Sequence, residues 1–308
     1  MIIKFMCGVD MQAKLDSIEM HAYAKINLSL DVIGKRHDGY HDLRMIMQSV
    51  ELHDAVTVKI IDDAKKGIKI ECDKVHVPID DTNTAFKAAR LMIDAFGINK
   101  GISVCIQKNI PVAAGMAGGS SDAAAVIKAI DRMFQLGLSL EEMARIGKDI
   151  GADVPYCIYA GTMLAEGIGD ILTPLPSFCD VPVVILKPKI SVSTSWVYSN
   201  YDSSKVHERP DTEALINAIK KADVLSVASG MRNVLESVTA EKHKIINEAK
   251  RALIKNGACG SAMSGSGPSV FGLFSTYGAA YAAYKKLSCD KFKWDCFLTK
   301  TNDIGGIL

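Results

Sequence analysis

No single sign of charge dominates the sequence. Its 308 residues carry 36 lysines and arginines against 35 aspartates and glutamates, a formal net charge of +1. Non-specific affinity for nucleic acid needs a concentrated basic face, so that partner class is set aside and only local basic clusters remain. The eight cysteines, at positions 7, 72, 105, 157, 179, 259, 289 and 296, never fall in a Cys-x-x-Cys spacing. That removes the usual signature of zinc or dithiol chemistry and predicts reduced, mostly buried thiols. The opening MIIKFMCGVDMQAKLDSIEM has little of a leader's pattern, since it is apolar only briefly and is broken by Lys4 and Asp10. It reads as neither a secretory signal nor a membrane span, so a cytoplasmic location without a membrane partner is expected. Internal repeats and low-complexity tracts are absent.

What is present is enough apolar material, 48% of the residues, to bury a sizeable core. At this length two domains are favoured over one. Periodicity begins after Met20, which makes residues 1–20 a flexible extension, with Met11 and Met20 as alternative starts. AKINLSL (24–30) alternates Ile26, Leu28 and Leu30 with Lys25, Asn27 and Ser29, the period of a half-buried strand with two chemical groups on its polar face. DAVTVKI (54–60) and ISVCI (102–106) are further strands. NTAFKAARLMIDAF (83–96) has helical spacing, with Asn83 placed to cap it. SLEE at 139–142 has the form of a capping box, and GADVP (151–155) reads as the turn after that helix. GTMLAEGIGDILTPL resembles a hairpin, and the proline-spaced stretch 174–184 reads as a passage between domains. Helices are expected near 211–222 and 240–256.

The stretch PVAAGMAGGSSDAAAVIKAI (111–130) is the most informative. Pro111, Val112 and Ala113 lead in, Ala114, Gly115, Met116 and Ala117 form a small-residue turn, and Gly118, Gly119, Ser120 and Ser121 open a helix. Its apolar stripe is Ala123, Val126, Ile127, Ile130 and Phe134. Glycines let consecutive amides converge, and a helix start adds unpaired N–H groups and a favourable dipole, so an anion such as phosphate suits the loop. A tight packing turn with a serine cap is the competing reading. Neither a Walker loop, which needs Lys-Ser or Lys-Thr after the glycines, nor GxGxxG is matched.

These residues resemble the signature of the GHMP kinases, with Met116 standing for a leucine and Ala117 for a glycine. The resemblance extends over AKINLSLDVIGKRHDGYHDLRMIMQSV (24–50), GADVPYCI (151–158), AEGIGDIL (165–172) and SGSGPSVFGLF (264–274). It implies an α+β, two-domain fold with the active site in the cleft between an N-terminal domain (21–161) and a C-terminal domain (162–308). It also implies ATP held by the 111–121 loop, Mg2+ bridging its phosphates near Ser121, and Asn83 and Lys108 on the adenine side. Asn83 as a mere cap and Lys108 as a solvated strand end remain open.

In-line phosphoryl transfer to an alcohol needs a carboxylate for the hydroxyl and a cation for developing charge. The resemblance places these roles at Asp153 and Lys25. The DGYH stretch narrows it to a branch acting on a cytidine diphosphate-linked methylerythritol, phosphorylated on its tertiary 2-hydroxyl in the methylerythritol phosphate route to isoprenoids. It implies Tyr40, His41 and Tyr198 around the cytidine, with Asn27 as a further substrate contact or an orienting neighbour. Core packing beside Trp196 competes for Tyr198. A kinase for homoserine, mevalonate or a sugar, and a non-catalytic nucleotide-binding protein of the same fold, are the alternatives. A monomer or weak homodimer is expected.

Overall fold

The computed structural model describes residues 15–61, 67–290 and 293–303. In chain order its first half comprises strands β1 (Ser17–Lys35), β2 (His41–Ile61) and β3 (Ile68–Cys72), helix α1 (Thr84–Phe96), β4 (Gly101–Gln107), helices α2 (Gly118–Phe134), α3 (Leu140–Lys148) and α4 (Val154–Tyr159), and strands β5 (Thr162–Gly167) and β6 (Ile171–Pro174). The second half comprises β7 (Pro182–Pro188), α5 (Thr194–Ser199), α6 (Thr212–Lys220), α7 (Val224–Gly230), β8 (Arg232–Asn233), α8 (Glu236–Lys242), α9 (Ile245–Lys255), β9 (Gly260–Met263), β10 (Val270–Leu273), α10 (Tyr277–Leu287) and β11 (Trp294–Lys300).

Two sheets result. The larger has the path β3-β4-β2-β1-β8 with β5 and β6 branching from β2, and the smaller has the order β11-β7-β10-β9. The expected division at 161/162 falls inside the larger sheet, because Thr162 pairs with Gln48 and Gly167 with Leu43. The second sheet starts only at Pro182, after the proline-spaced passage. Residues 1–14 of the expected extension lie outside the described residues. Residues 17–20 do not fit it, since Ser17 to Met20 pair with Lys59 to Val56.

The β1–β2 hairpin explains how polar side chains reach the interior. Its register shifts between Tyr23 and Lys25, between Asn27 and Ser29, and between Val32 and Gly34. A bulge turns a strand over locally. Accordingly Met20, Ala22, Leu30 and Val32 pack in the core under the helices, whereas Ala24, Ile26 and Leu28 belong to the core shared with the second sheet. Lys25 and Asn27 therefore come round to the opposite side. The strand is buried on both faces from Ala24 to Val32, not half-buried as its alternation suggested.

The helices obey their local chemistry. Asn83 caps α1 by accepting from the Ala85 amide, and Ser139 with Glu142 closes both bonds of the capping box of α3. The turn after α3 is at once the start of α4, with Asp153 at its N-cap. Of the seven described cysteines, all free, only Cys157 is buried, four are half-buried and Cys179 and Cys289 are exposed, so the expectation of mostly buried thiols does not hold.

Two late segments return to the first sheet. Strand β8 pairs in parallel with Ser29 and Leu30 of β1. Thr301 bridges to Val50, the Asn302 amide donates to the Ser49 carbonyl, and the Gln48 side chain donates to the Asn302 carbonyl.

Candidate active site

The glycine-rich stretch folds as a run of reversed backbone turns. Ala113, Gly115 and Ala117 have φ of 51°, 73° and 56°, left-handed values that aim successive amides to one side. Ala117 is the N-cap of α2 and no side chain caps the helix. The serine-cap reading is thereby excluded, and the first-turn amides stay available to an anion.

A second loop closes on the first. Ser264 donates to the Gly115 carbonyl at 2.9 Å, and the Gly265 amide donates to Asn27 Oδ1 at 2.9 Å. The packing leaves no room at Gly115, where a Cβ would fall well inside 3.0 Å of the Ser264 carbonyl oxygen. Ser266 shares a hydroxyl contact of 2.8 Å with Thr194 at the start of α5.

Together these loops line a cleft of about 880 Å³ that also takes in Lys25, Tyr40, His41, Asn83, Lys108, Asp153 and Tyr198. Every loop residue from Pro111 to Ser120 borders it. Lys25 is 4% exposed, and its ammonium donates to Asn27 Oδ1 at 2.7 Å. Asp153 makes no side-chain cap bond at the start of α4 and no ion pair with Lys25, so its carboxylate faces the cleft unspent. The local-capping alternative for Asp153 is therefore excluded.

At the other end His41 stacks on Tyr198, ring centroids 5.4 Å apart at 29°, and meets Tyr201 edge-on at 6.2 Å. Burial, and then the Lys35 charge, pushes the His41 pKa below its ordinary value. A neutral imidazole has one donor and one acceptor nitrogen, which suits a heterocyclic edge. Burial, with the Asp153 charge adding to it, pushes the Tyr198 hydroxyl up, which keeps it protonated and places it near that carboxylate. Tyr40 is 61% exposed at the rim, on the Asp38-Gly39 turn.

Four of the expected site residues have their side chains engaged with the protein itself. Ser121 turns its hydroxyl inward to the Tyr23 carbonyl at 2.7 Å and does not border the cleft; Ser120 does. The helical twist sends successive side chains to different faces, and the metal-side position expected of Ser121 is withdrawn. Asn27 is fully buried and also does not border the cleft. Its Oδ1 joins Lys25 to the Gly265 loop, the arrangement of an orienting neighbour. Lys108 is no solvated strand end, since it is buried between Asp54 and Asp122. Asn83 borders the cleft but spends its side chain on the cap and on the Pro78 carbonyl. Asp54, Asp122 and Thr194 were not singled out from sequence. Residues 54, 108 and 122 are too far apart in the chain to form a local pattern.

The pattern described as GHMP kinases N terminal domain matches residues 83–161, and that described as GHMP kinases C terminal matches residues 215–293. A 4-diphosphocytidyl-2-C-methyl-D-erythritol kinase of Acetivibrio thermocellus is 53% identical over 287 residues, covering 93% of this chain and 100% of the relative. The chain belongs to the GHMP kinase family. A relative of the same name from Clostridium botulinum is 49% identical, over 91% of this chain and 98% of its own. Among solved GHMP kinases, a 4-(cytidine 5'-diphospho)-2C-methyl-D-erythritol kinase superposes with a TM-score of 0.79 at 28% identity, covering 92% of this chain and 99% of that one. A homoserine kinase from Cytophaga hutchinsonii shares the fold, with a TM-score of 0.76 at 20% identity and coverage of 97% and 99%. The α+β GHMP fold and a kinase activity drawing on ATP thus go with the cleft. Among the described residues no helix is long and apolar enough to cross a membrane, and no group of three His, Cys, Asp or Glu side chains is placed to hold a metal.

Proposed function

We propose that the chain transfers the γ-phosphoryl group of ATP to the tertiary 2-hydroxyl of 4-diphosphocytidyl-2-C-methyl-D-erythritol, giving the 2-phosphate and ADP. The step belongs to the methylerythritol phosphate route to isoprenoids, and we place it in the cytoplasm, on a monomer or weak homodimer. The observation that carries the reading is the meeting in one cleft of an uncapped helix start, an unspent carboxylate and a stacked imidazole–phenol pair.

In this reading the left-handed loop and the first-turn amides of α2 hold the triphosphate. Asp153 accepts the hydrogen bond of the attacking hydroxyl and aligns it. The Lys25 ammonium, fixed by Asn27, stabilises negative charge as the phosphoryl group moves. A tertiary alcohol is hindered, so alignment matters more than base strength. Mg2+, when bound with the nucleotide, would neutralise charge on the phosphates beside the 111–121 loop. His41 and Tyr198 grip the cytosine, with Tyr40 at the rim.

The test is ADP release over a panel of acceptor alcohols with and without a cytidine group. Turnover confined to the cytidylated acceptor is expected. Equal or faster turnover of homoserine, mevalonate or a sugar would overturn the substrate.

A further inference from the structure

Beneath the glycine loop lies a charged cluster that the proposed reaction does not use. Lys108, just past the end of β4, donates to Asp54 of β2 and to Asp122 Oδ2 of α2, the latter at 2.7 Å. The three side chains are 4%, 0% and 5% exposed. Asp54 Oδ1 also accepts from the amides of Asn109 at 2.6 Å and Ile110 at 2.8 Å, the two residues that enter the loop at Pro111. One ammonium thus ties the loop entry, β2 and the first turns of α2 together.

Two carboxylates on one ammonium leave a surplus negative charge in a buried site at the wall of the cleft. Asp122 Oδ1 is also buried without a hydrogen-bond partner. Both features are costly for a carboxylate. A proton on Asp122 removes the surplus charge, and Asp54, which raises the Asp122 pKa both as a charge and as a hydrogen-bonding neighbour, is the acceptor at hand.

We propose that Asp122 is held as the neutral acid, sharing its proton with Asp54, and that this proton keeps the glycine loop in its nucleotide-binding shape. Asp122 is then a positioning residue, and the nucleotide half of the inference rests on the ATP reading given above.

The surroundings agree with a held proton. Burial raises the Asp122 pKa, Lys108 opposes and Asp54 adds to the rise, with a net value of about 7. From the end of β3, Cys72 faces the cluster, with Asp73 one step out and accepting from the Lys108 amide. In α4 the buried Cys157, whose thiol burial pushes up, lies within electrostatic reach of Asp122, and from α1 Thr84 bonds to the Gly119 carbonyl in the same turn.

Three measurements on the full chain test this. In the unmutated protein, carboxyl 13C shifts should show a buried aspartate titrating near neutrality; aspartates all titrating below about pH 5 would overturn the shared proton. Without any nucleotide, the native state holds more protons than the unfolded chain between the ordinary aspartate range and about 7. Wild type should therefore lose stability relative to Asp122→Asn as pH rises through that window, and parallel stability profiles would overturn the inference whether or not the cleft binds ATP. Calorimetric ADP affinity should fall in wild type by up to about tenfold per pH unit above the loss of the proton, and hold steady in Asp122→Asn, whose amide donates as the acid would. Parallel affinity profiles would overturn the positioning role alone. Wild type that never binds ADP, together with divergent stability profiles, would instead remove the nucleotide reading and the positioning role while leaving the shared proton.

Discussion

Gly115→Ala tests whether the two loops over the cleft form one rigid unit. The new Cβ would fall well inside 3.0 Å of the Ser264 carbonyl oxygen and 3.1 Å from that of Gly267, all backbone atoms that cannot rotate aside. Restoring an ordinary carbon–oxygen separation needs a displacement of about 1 Å between the loops. Alanine at the Gly115 φ of 73° adds about 1–2 kcal/mol of backbone strain. A misplacement of about 1 Å at a phosphate cradle is expected to cost about 10²-fold in turnover, or about 2.7 kcal/mol of barrier. Gly137→Ala is the control. Gly137 has φ of 70° and a Cβ there meets nothing within 4 Å, so it carries the strain without the collision. Steady-state kinetics and thermal unfolding of both variants separate the two effects. A larger loss of stability in Gly115→Ala than in Gly137→Ala, with turnover reduced only in Gly115→Ala, is expected. Turnover retained in Gly115→Ala would show that the loops move apart freely and would refute the rigid cradle.

Asp153→Asn should leave ATP binding largely in place and lower turnover by about 10²- to 10⁴-fold, seen by comparing kcat with calorimetric nucleotide affinity; unchanged turnover would remove Asp153 from the reaction. His41→Ala should raise KM for the cytidylated acceptor by roughly 5- to 150-fold, the equivalent of about 1–3 kcal/mol, with little change in KM for ATP. Equal changes for both ligands would move this imidazole out of the acceptor pocket. Lys108→Met strands the buried negative charge that the Asp54–Asp122 pair carries and should destabilise the fold by about 3–5 kcal/mol in denaturant titration, and a change within about 0.5 kcal/mol would deny the cluster its bracing role.

Several strands of the first sheet, about half of the helices and the glycine-rich turn into α2 were legible because their signals are local. The capping box at Ser139, the helix start after Gly118 and the alternation of Ile26, Leu28 and Leu30 each follow from neighbours a few residues apart. What escaped was set by distant packing. The flip of β1 depends on three register shifts against β2, which no alternation within β1 encodes. The inward turn of the Ser121 hydroxyl depends on a carbonyl 98 residues away, and the Lys108 environment on carboxylates 54 and 14 residues away. A lysine at the end of a strand reads as solvated until the third dimension supplies its partners.

The strand pairings also bear on how the chain can be divided. A fragment ending in the 174–184 passage would contain every long strand of the first sheet, yet it would lack Arg232 and Asn233 at the open edge of β1 and Thr301 and Asn302 beside Val50. Such an orphaned edge invites pairing with another molecule. Separately expressed halves should consequently clump until mixed, and during synthesis the sheet must wait for Thr301 and Asn302 before it can seal.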